Sequence, residues 1–154
     1  MTTTKRRSER QQWNPDLGVL ASRLSAETQT GVFASLRAEG HGDLEMRHGA
    51  VLPYLDEDGI RATELARLAG RHKQVVGRLV DELEELGYVE RRADPGDRRA
   101  KLVIPTPQGL EALRVADRAI ADAEARHAER IGRRAYAEFR EAMRAMLEPR
   151  AGVG

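Results

Sequence analysis

The chain has 154 residues, 40% apolar, 33% charged and 4% aromatic, which suits one compact, helix-rich domain with a modest core. Net charge is only +1 at pH 7, so any affinity for nucleic acid must come from where the charges lie, not from their sum. The absence of cysteine excludes disulfides, thiolate metal sites and thiol redox sensing, and no apolar run nears the roughly 18 residues of a membrane span, so no membrane partner and a cytoplasmic location are expected.

Residues 1–12 are polar, carry Lys5, Arg6, Arg7 and Arg10, and are expected to form a flexible basic arm. Asn14 as cap and Pro15 at the first helical position then open a long helix with Leu17, Leu20, Ala21, Leu24, Val32, Phe33 and Leu36 as its apolar members. Asp43 is placed to cap a second helix carrying Val51, Leu52 and Leu55. From Ile60 to Pro107 the pattern becomes helix, turn, helix and basic β-hairpin. The segment 62–69 is a short amphipathic helix closed by Gly70, the residue expected where a helix ends in a left-handed turn. Arg71 to Leu86 follows as a helix that buries Val76, Leu79, Val80, Leu83 and Leu86, with Lys73, Gln74 and Arg78 on its opposite side. That is how a small protein lays one helix in the DNA major groove.

After Gly87 the period changes. Residues 88–92 and 101–104 are β-prone and are joined by 93–100, whose Asp94-Pro95-Gly96-Asp97 is turn chemistry. Arg98 and Arg99 fall at or just past the tip. Their only nearby carboxylates are Asp94 and Asp97, so at least one guanidinium is expected to be free for a phosphate or a narrow minor groove. Pro105 lacks a ladder donor, so the second strand should end there or lie at an edge. Thr106 and Pro107 start a helix of about 25 residues with Leu110, Leu113, Ala116, Ile120, Ala123 and His127 along one stripe. Gly132 breaks it, and Tyr136, Phe139, Met143, Met146 and Leu147 mark the last helix. Such a terminal helix pair leaves an apolar face that one subunit cannot easily cover, and a second copy is the expected partner.

The runs Ala62-Thr63-Glu64-Leu65-Ala66, Lys73 to Glu84, Gly87-Tyr88-Val89-Glu90-Arg91, Asp94 to Val103 and Thr106-Pro107-Gln108-Gly109 resemble the MarR family of bacterial winged helix-turn-helix regulators. The resemblance covers about Met46 to Leu113. It rests most firmly on the wing's Asp-x-Arg element and on the Thr-Pro-x-Gly that opens the next helix. It implies a mainly α fold with a small β-hairpin wing, in which residues 43–106 form the winged helix-turn-helix and 13–40 with 107–149 the helical dimerisation region. It also implies a homodimeric repressor acting on a pseudo-palindromic operator in double-stranded DNA and released by a small anionic or aromatic effector. The alternative is a winged-helix protein-interaction module without specific DNA binding.

On this reading the DNA-binding set is Arg71, His72, Lys73, Gln74, Val75, Gly77, Arg78, Arg98 and Arg99. Gln suits bidentate reading of adenine, Lys suits guanine or phosphate, and Val75 suits a thymine methyl. Gly77 inside a helix costs roughly 1 kcal/mol relative to Ala, and close approach to DNA, a helix contact or drift would each account for it. Arg78 has a competing role as an ion-pair partner of Asp81 or Glu82. The sequence departs from the family at Arg61 and His72, which stand where Thr or Ser caps are usual. Trp13, Phe33, Arg47, His48 and Tyr54 are the candidate effector-binding residues, an aromatic wall with a cation. No metal, cofactor or enzymatic activity is expected: His41 and His48 lack an i+4 histidine, and the serines, Ser8, Ser22, Ser25 and Ser35, fit no nucleophile motif.

Overall fold

A computed structural model of the chain describes residues 6–148. The elements are α1 (Arg7–Trp13), α2 (Leu17–Ala38), β1 (Ile60–Arg61), α3 (Ala62–Ala69), α4 (Lys73–Glu85), β2 (Val89–Asp94), β3 (Asp97–Pro105), α5 (Pro107–Ile131) and α6 (Arg133–Leu147). The three strands form one antiparallel sheet in the order β1-β3-β2. This is the expected mainly α fold with a small β wing. Among the described residues no helix is long and apolar enough to cross a membrane.

The N-terminal half differs from expectation in two places. Arg7–Trp13 is helical where a basic arm was expected, and residues 1–5 of that arm lie outside the described residues. Local polar contacts, invisible to apolar patterning, hold this short helix. The Arg6 amide donates to the Glu9 carboxylate at 3.1 Å, while Gln11 donates through Nε2 to Asp16 at 2.6 Å and accepts from the Asp16 amide at 3.0 Å. Asn14 therefore closes α1, and the cap of α2 is Asp16, which accepts from the Val19 amide at 3.0 Å. Asp43 caps no helix. The segment after it makes two 3-10 turns, Met46–Ala50 and Leu52–Tyr54, because Gly49 and Pro53 leave no stretch suited to an α-helix.

The core lies under the winged helix. Leu36, Val51, Leu65, Val76, Val80, Leu83, Tyr88, Val89, Val103 and Val115 are all buried, so α4 buries its expected face, apart from the half-buried Leu86 at its C-cap. In α5 the buried stripe is offset from the expected one. Ala112, Val115, Ala119 and Ala123 pack inward, whereas Leu110, Leu113, Ala116, Ile120 and His127 stay half-buried on a second face. Only Val32, Phe33 and Leu36 are buried in α2, and α6 buries none of its residues. Two apolar stripes on α5 were read as one because small alanines satisfy the intramolecular packing.

Tyr88 links the two halves. Its hydroxyl donates to Asp43 Oδ1 at 2.5 Å. Since a phenol has one proton, His41 Nδ1, 3.2 Å away, is the donor to the same oxygen. Burial, and after it the Asp43 carboxylate, pushes the Tyr88 phenol up to about 12 from 10.0, with Gln108 opposing. The raised value makes this a contribution to stability that is complete below pH 10 and lost as pH rises toward 12. Tyr88→Phe is expected to lower stability at neutral pH by about 1–3 kcal/mol. It should also flatten the alkaline fall between pH 10 and 12. Urea unfolding across that range checks both effects, and an unchanged alkaline slope would contradict the assignment.

Candidate nucleic-acid interface

The two helices of the motif meet at Gly70, whose φ of 59° carries the chain out of α3. Helix α4 begins at Lys73 after His72, which makes no side-chain cap hydrogen bond; Arg61, ahead of α3, makes none either. Both missing caps are as the sequence predicts. Val76, Leu79, Val80 and Leu83 anchor the inner face of α4, so Arg71, His72, Lys73, Gln74, Val75 and Arg78 are all exposed at its N-terminal end. A Cβ at Gly77 would meet nothing within 4 Å. A helix contact within the chain is therefore not what keeps a glycine there.

Charge pairing separates these cations from their neighbours. Arg67 pairs with Glu64 at 2.6 Å, Arg47 with Glu82 at 2.8 Å, Arg91 with Asp81 at 2.5 Å and also with Glu84, and Arg92 with Glu90. Among the described residues Arg71, Lys73 and Arg78 have no such partner. The competing ion-pair role for Arg78 is not seen, because Asp81 is held by Arg91 and Glu82 by Arg47 and His48. The Arg47 hydrogen bond, opposed by burial and helped by His48, holds the Glu82 carboxyl below its ordinary range.

The wing is tighter than expected. Strands β2 and β3 run almost to the tip and are joined by Pro95 and Gly96 alone, where a loop over 93–100 was expected. The reason is an Asp turn: Asp94 Oδ1 accepts from the Gly96 amide at 2.8 Å, closing the reversal in two residues. Arg98 and Arg99 are thus the second and third residues of β3, both exposed, and lie where the register slips: Ala93 pairs with Lys101 but Asp94 with Asp97, which leaves residues 98–100 as a bulge opposite β2. Among the described residues neither guanidinium is ion-paired. Lys101, opposite Ala93 where the regular register resumes, is also exposed and, among the described residues, not ion-paired. It is not among the DNA-binding residues expected from the sequence, although it continues the basic run of Arg98 and Arg99. Pro105 ends β3, as its missing donor predicts.

The five candidate effector residues do not gather into one site. Phe33 and Arg47 share a hollow of about 530 Å³ between α2 and the first 3-10 turn. Trp13 lies on α1 and is 79% exposed, and Tyr54 is exposed on the second 3-10 turn. His48 is buried with both nitrogens engaged: Nδ1 accepts from the Glu45 amide at 2.9 Å, and Nε2 lies 3.1 Å from Glu82. Phe33 also lines a hollow of about 300 Å³ between α2, α5 and the 3-10 turns, with Val32, Leu52, Leu55, Leu113 and Ile120. A larger one of about 730 Å³ lies between α2, α5 and α6, floored by Leu24, Ile120, Tyr136, Phe139 and Met143.

Residues 43–100 match a family model described as MarR family. The transcriptional repressor MprA of Escherichia coli (strain K12) is 29% identical over 114 residues, which span 71% of this chain and 65% of that repressor's length. The crystal structure of CouR from Rhodococcus jostii RHA1 bound to p-coumaroyl-CoA superposes with a TM-score of 0.70 at 30% identity, covering 87% of this chain and 93% of that one. The transcriptional repressor CouR bound to a 23-mer DNA duplex gives a TM-score of 0.66 at 26% identity, covering 90% and 94%.

Proposed function

The chain belongs to the MarR family, and from that premise we propose that it is a sequence-specific, double-stranded DNA-binding repressor that acts as a homodimer on a pseudo-palindromic operator. One observation carries this reading. Among the described residues, the exposed N-terminal end of α4 and the wing tip present Arg71, Lys73, Arg78, Arg98 and Arg99 without acid partners, while Arg47, Arg67, Arg91 and Arg92 nearby are all ion-paired. Unpaired cations on a helix and hairpin that fit the groove suit a polyanion. Arg67 and Arg91, neutralised in place, do not compete.

A second copy accounts for the uncovered apolar surface. Leu17 and Leu20 of α2 and Phe139, Met146 and Leu147 of α6 are exposed, and the hollow between α2, α5 and α6 is floored with apolar side chains. Interleaving these helices across a two-fold axis buries them and sets the two recognition helices about one DNA turn apart, roughly 34–36 Å. An effector is the third part of the reading. The hollow lined by Phe33 and Leu113 is apolar apart from Thr28, Gln29 and Asp117, which suits an aromatic group better than a carboxylate, and CouR is a relative bound to an aromatic acyl thioester. A ligand there, between dimer helices and winged helix, would change the spacing of the heads, and DNA would weaken its binding by the same factor.

The test is selection of bound sequences from a random duplex pool by the purified protein, followed by a salt titration on the winner. An inverted repeat with half-sites one turn apart, and log affinity falling linearly with log salt, is the expected result. Enrichment of no sequence by a folded protein, or salt-insensitive binding, would favour the protein-interaction module instead.

A further inference from the structure

Arg61 occupies the N-cap of α3, yet its side chain turns away from the helix. It runs along the sheet to the wing, where Nε donates to Asp94 Oδ2 at 2.7 Å and Nη2 reaches within 4.0 Å of Asp97 Oδ2. The register explains the reach. Arg61 is paired with Leu102 on the central strand, Leu102 with Arg92, and Asp94 lies two residues further toward the tip. Asp94 and Asp97 are the two carboxylates built into the turn that precedes Arg98 and Arg99. Left alone, they are the nearest anions those guanidiniums can find, and each such pair would remove a positive charge from the wing tip.

We infer that Arg61 is a positioning residue for the wing: by holding Asp94 and screening Asp97 it keeps Arg98 and Arg99 from folding back onto their own turn and leaves both to a polyanion. The partner in this statement rests on the DNA-binding reading above. Three features of the site agree with it. Asp94 spends its second oxygen on the Gly96 amide, so with Arg61 in place the whole carboxylate is committed. The remaining acid, Asp97, uses Oδ1 to accept from the Arg99 amide at 3.0 Å. Neither Arg98 nor Arg99 is ion-paired among the described residues, although both follow these acids directly. The departure from a Ser or Thr cap at position 61 thereby gains a reason. Capping α3 and clasping the wing are alternative uses of one position: a guanidinium has no acceptor for the helix amides, but it is long enough to reach the wing.

A double-mutant cycle on the full chain separates this role from a plain charge effect. Arg61→Thr restores an ordinary cap, so the fold is retained and thermal stability reports it. In the native wing, this change is expected to lower operator affinity about tenfold or more and to make the salt dependence shallower by about 0.9 for each guanidinium recaptured. In a wing carrying Asp94→Asn and Asp97→Asn, which keep the turn's acceptors but not their charge, Arg61→Thr is expected to cost little. Equal loss in both backgrounds would mean that Arg61 acts on DNA directly, and no loss in the native wing would mean that it does not act at all; either result overturns the inference. The clasp is also read without DNA, from ¹⁵N relaxation of the Nε–Hε groups of Arg98 and Arg99. They should be mobile in the native protein, restrained in Arg61→Thr, and mobile again when both aspartates are neutralised. Unchanged relaxation overturns the clasp itself, whereas the expected relaxation in a protein that selects no duplex overturns the DNA reading and leaves the clasp standing.

Discussion

Gly109→Ala is expected to be the most damaging small substitution in the chain, lowering stability by about 3 kcal/mol and the melting temperature by roughly 10 °C. Gly109 lies in the first turn of α5, buried against the end of the wing. A Cβ there would fall 2.0 Å from the Tyr88 carbonyl oxygen and 3.0 Å from its carbon, both backbone atoms that cannot rotate aside. The same junction carries a concentrated set of hydrogen bonds. Thr106 donates its amide to the Tyr88 carbonyl at 3.0 Å and its hydroxyl to the Gly87 carbonyl at 2.6 Å, while Thr106 Oγ1 accepts from the Gly109 amide at 3.1 Å. Inserting a methyl group separates helix from strand and stretches all three bonds. The gain in helix propensity from Ala, about 1 kcal/mol, is too small to offset this. Urea and thermal unfolding measure the change, and a midpoint within error of the native protein would show that α5 can slide on the wing. Since α5 runs from the wing to α6, such sliding should, on the proposed reading, also loosen operator binding in any variant that still folds.

The double substitution Arg98→Ala with Arg99→Ala is expected to produce the largest functional loss on the proposed reading, on the order of a hundredfold or more in operator affinity with the fold intact. Both side chains are exposed and, among the described residues, not ion-paired, so their removal leaves no buried charge and no broken network. A dimer would lose four guanidiniums. If all four meet phosphate, the slope of log affinity against log salt becomes shallower by about 3 to 4. Gln74→Ala should behave differently. Its loss, about 1–3 kcal/mol, should fall on one base position per half-site and leave the salt slope almost unchanged. Comparing the two variants on the selected operator and on scrambled duplex distinguishes positioning contacts from base reading. A double wing variant with native affinity and native slope would remove the wing from the interface.

The winged helix was legible in the residues because it is built from strong local signals. The amphipathic period of α4, the Gly70 and Gly87 stops and the Thr106-Pro107 start each dictate a local conformation, and the buried core of α4 followed. The wing's tightness was not legible, because it depends on which oxygen of Asp94 turns to Gly96 and which to Arg61. Helix α1 was missed for a similar reason: it is held by Arg6, Glu9, Gln11 and Asp16 in mutual hydrogen bonds, and charged residues near a terminus otherwise read as solvated tail.

By itself, then, the sequence determined the order of elements, the recognition helix and its exposed polar end, and the presence of a turn bearing two arginines. These follow from periodicity and from glycine, proline and capping chemistry, which act over a few residues. Only the tertiary structure decided which cations are free. Arg78 and Arg91 are alike as residues, and each has acids within reach in sequence or in space. The fold hands Asp81 and Glu84 to Arg91 and Glu82 to Arg47 and His48, leaving Arg78 without an acid partner among the described residues. It likewise gives Asp94 to Arg61, 33 residues away, and spares Arg98 and Arg99. Unlike the i, i+3 pair of Glu64 with Arg67, these pairs are set by where strands and helices cross, which is a long-range property that no local pattern encodes.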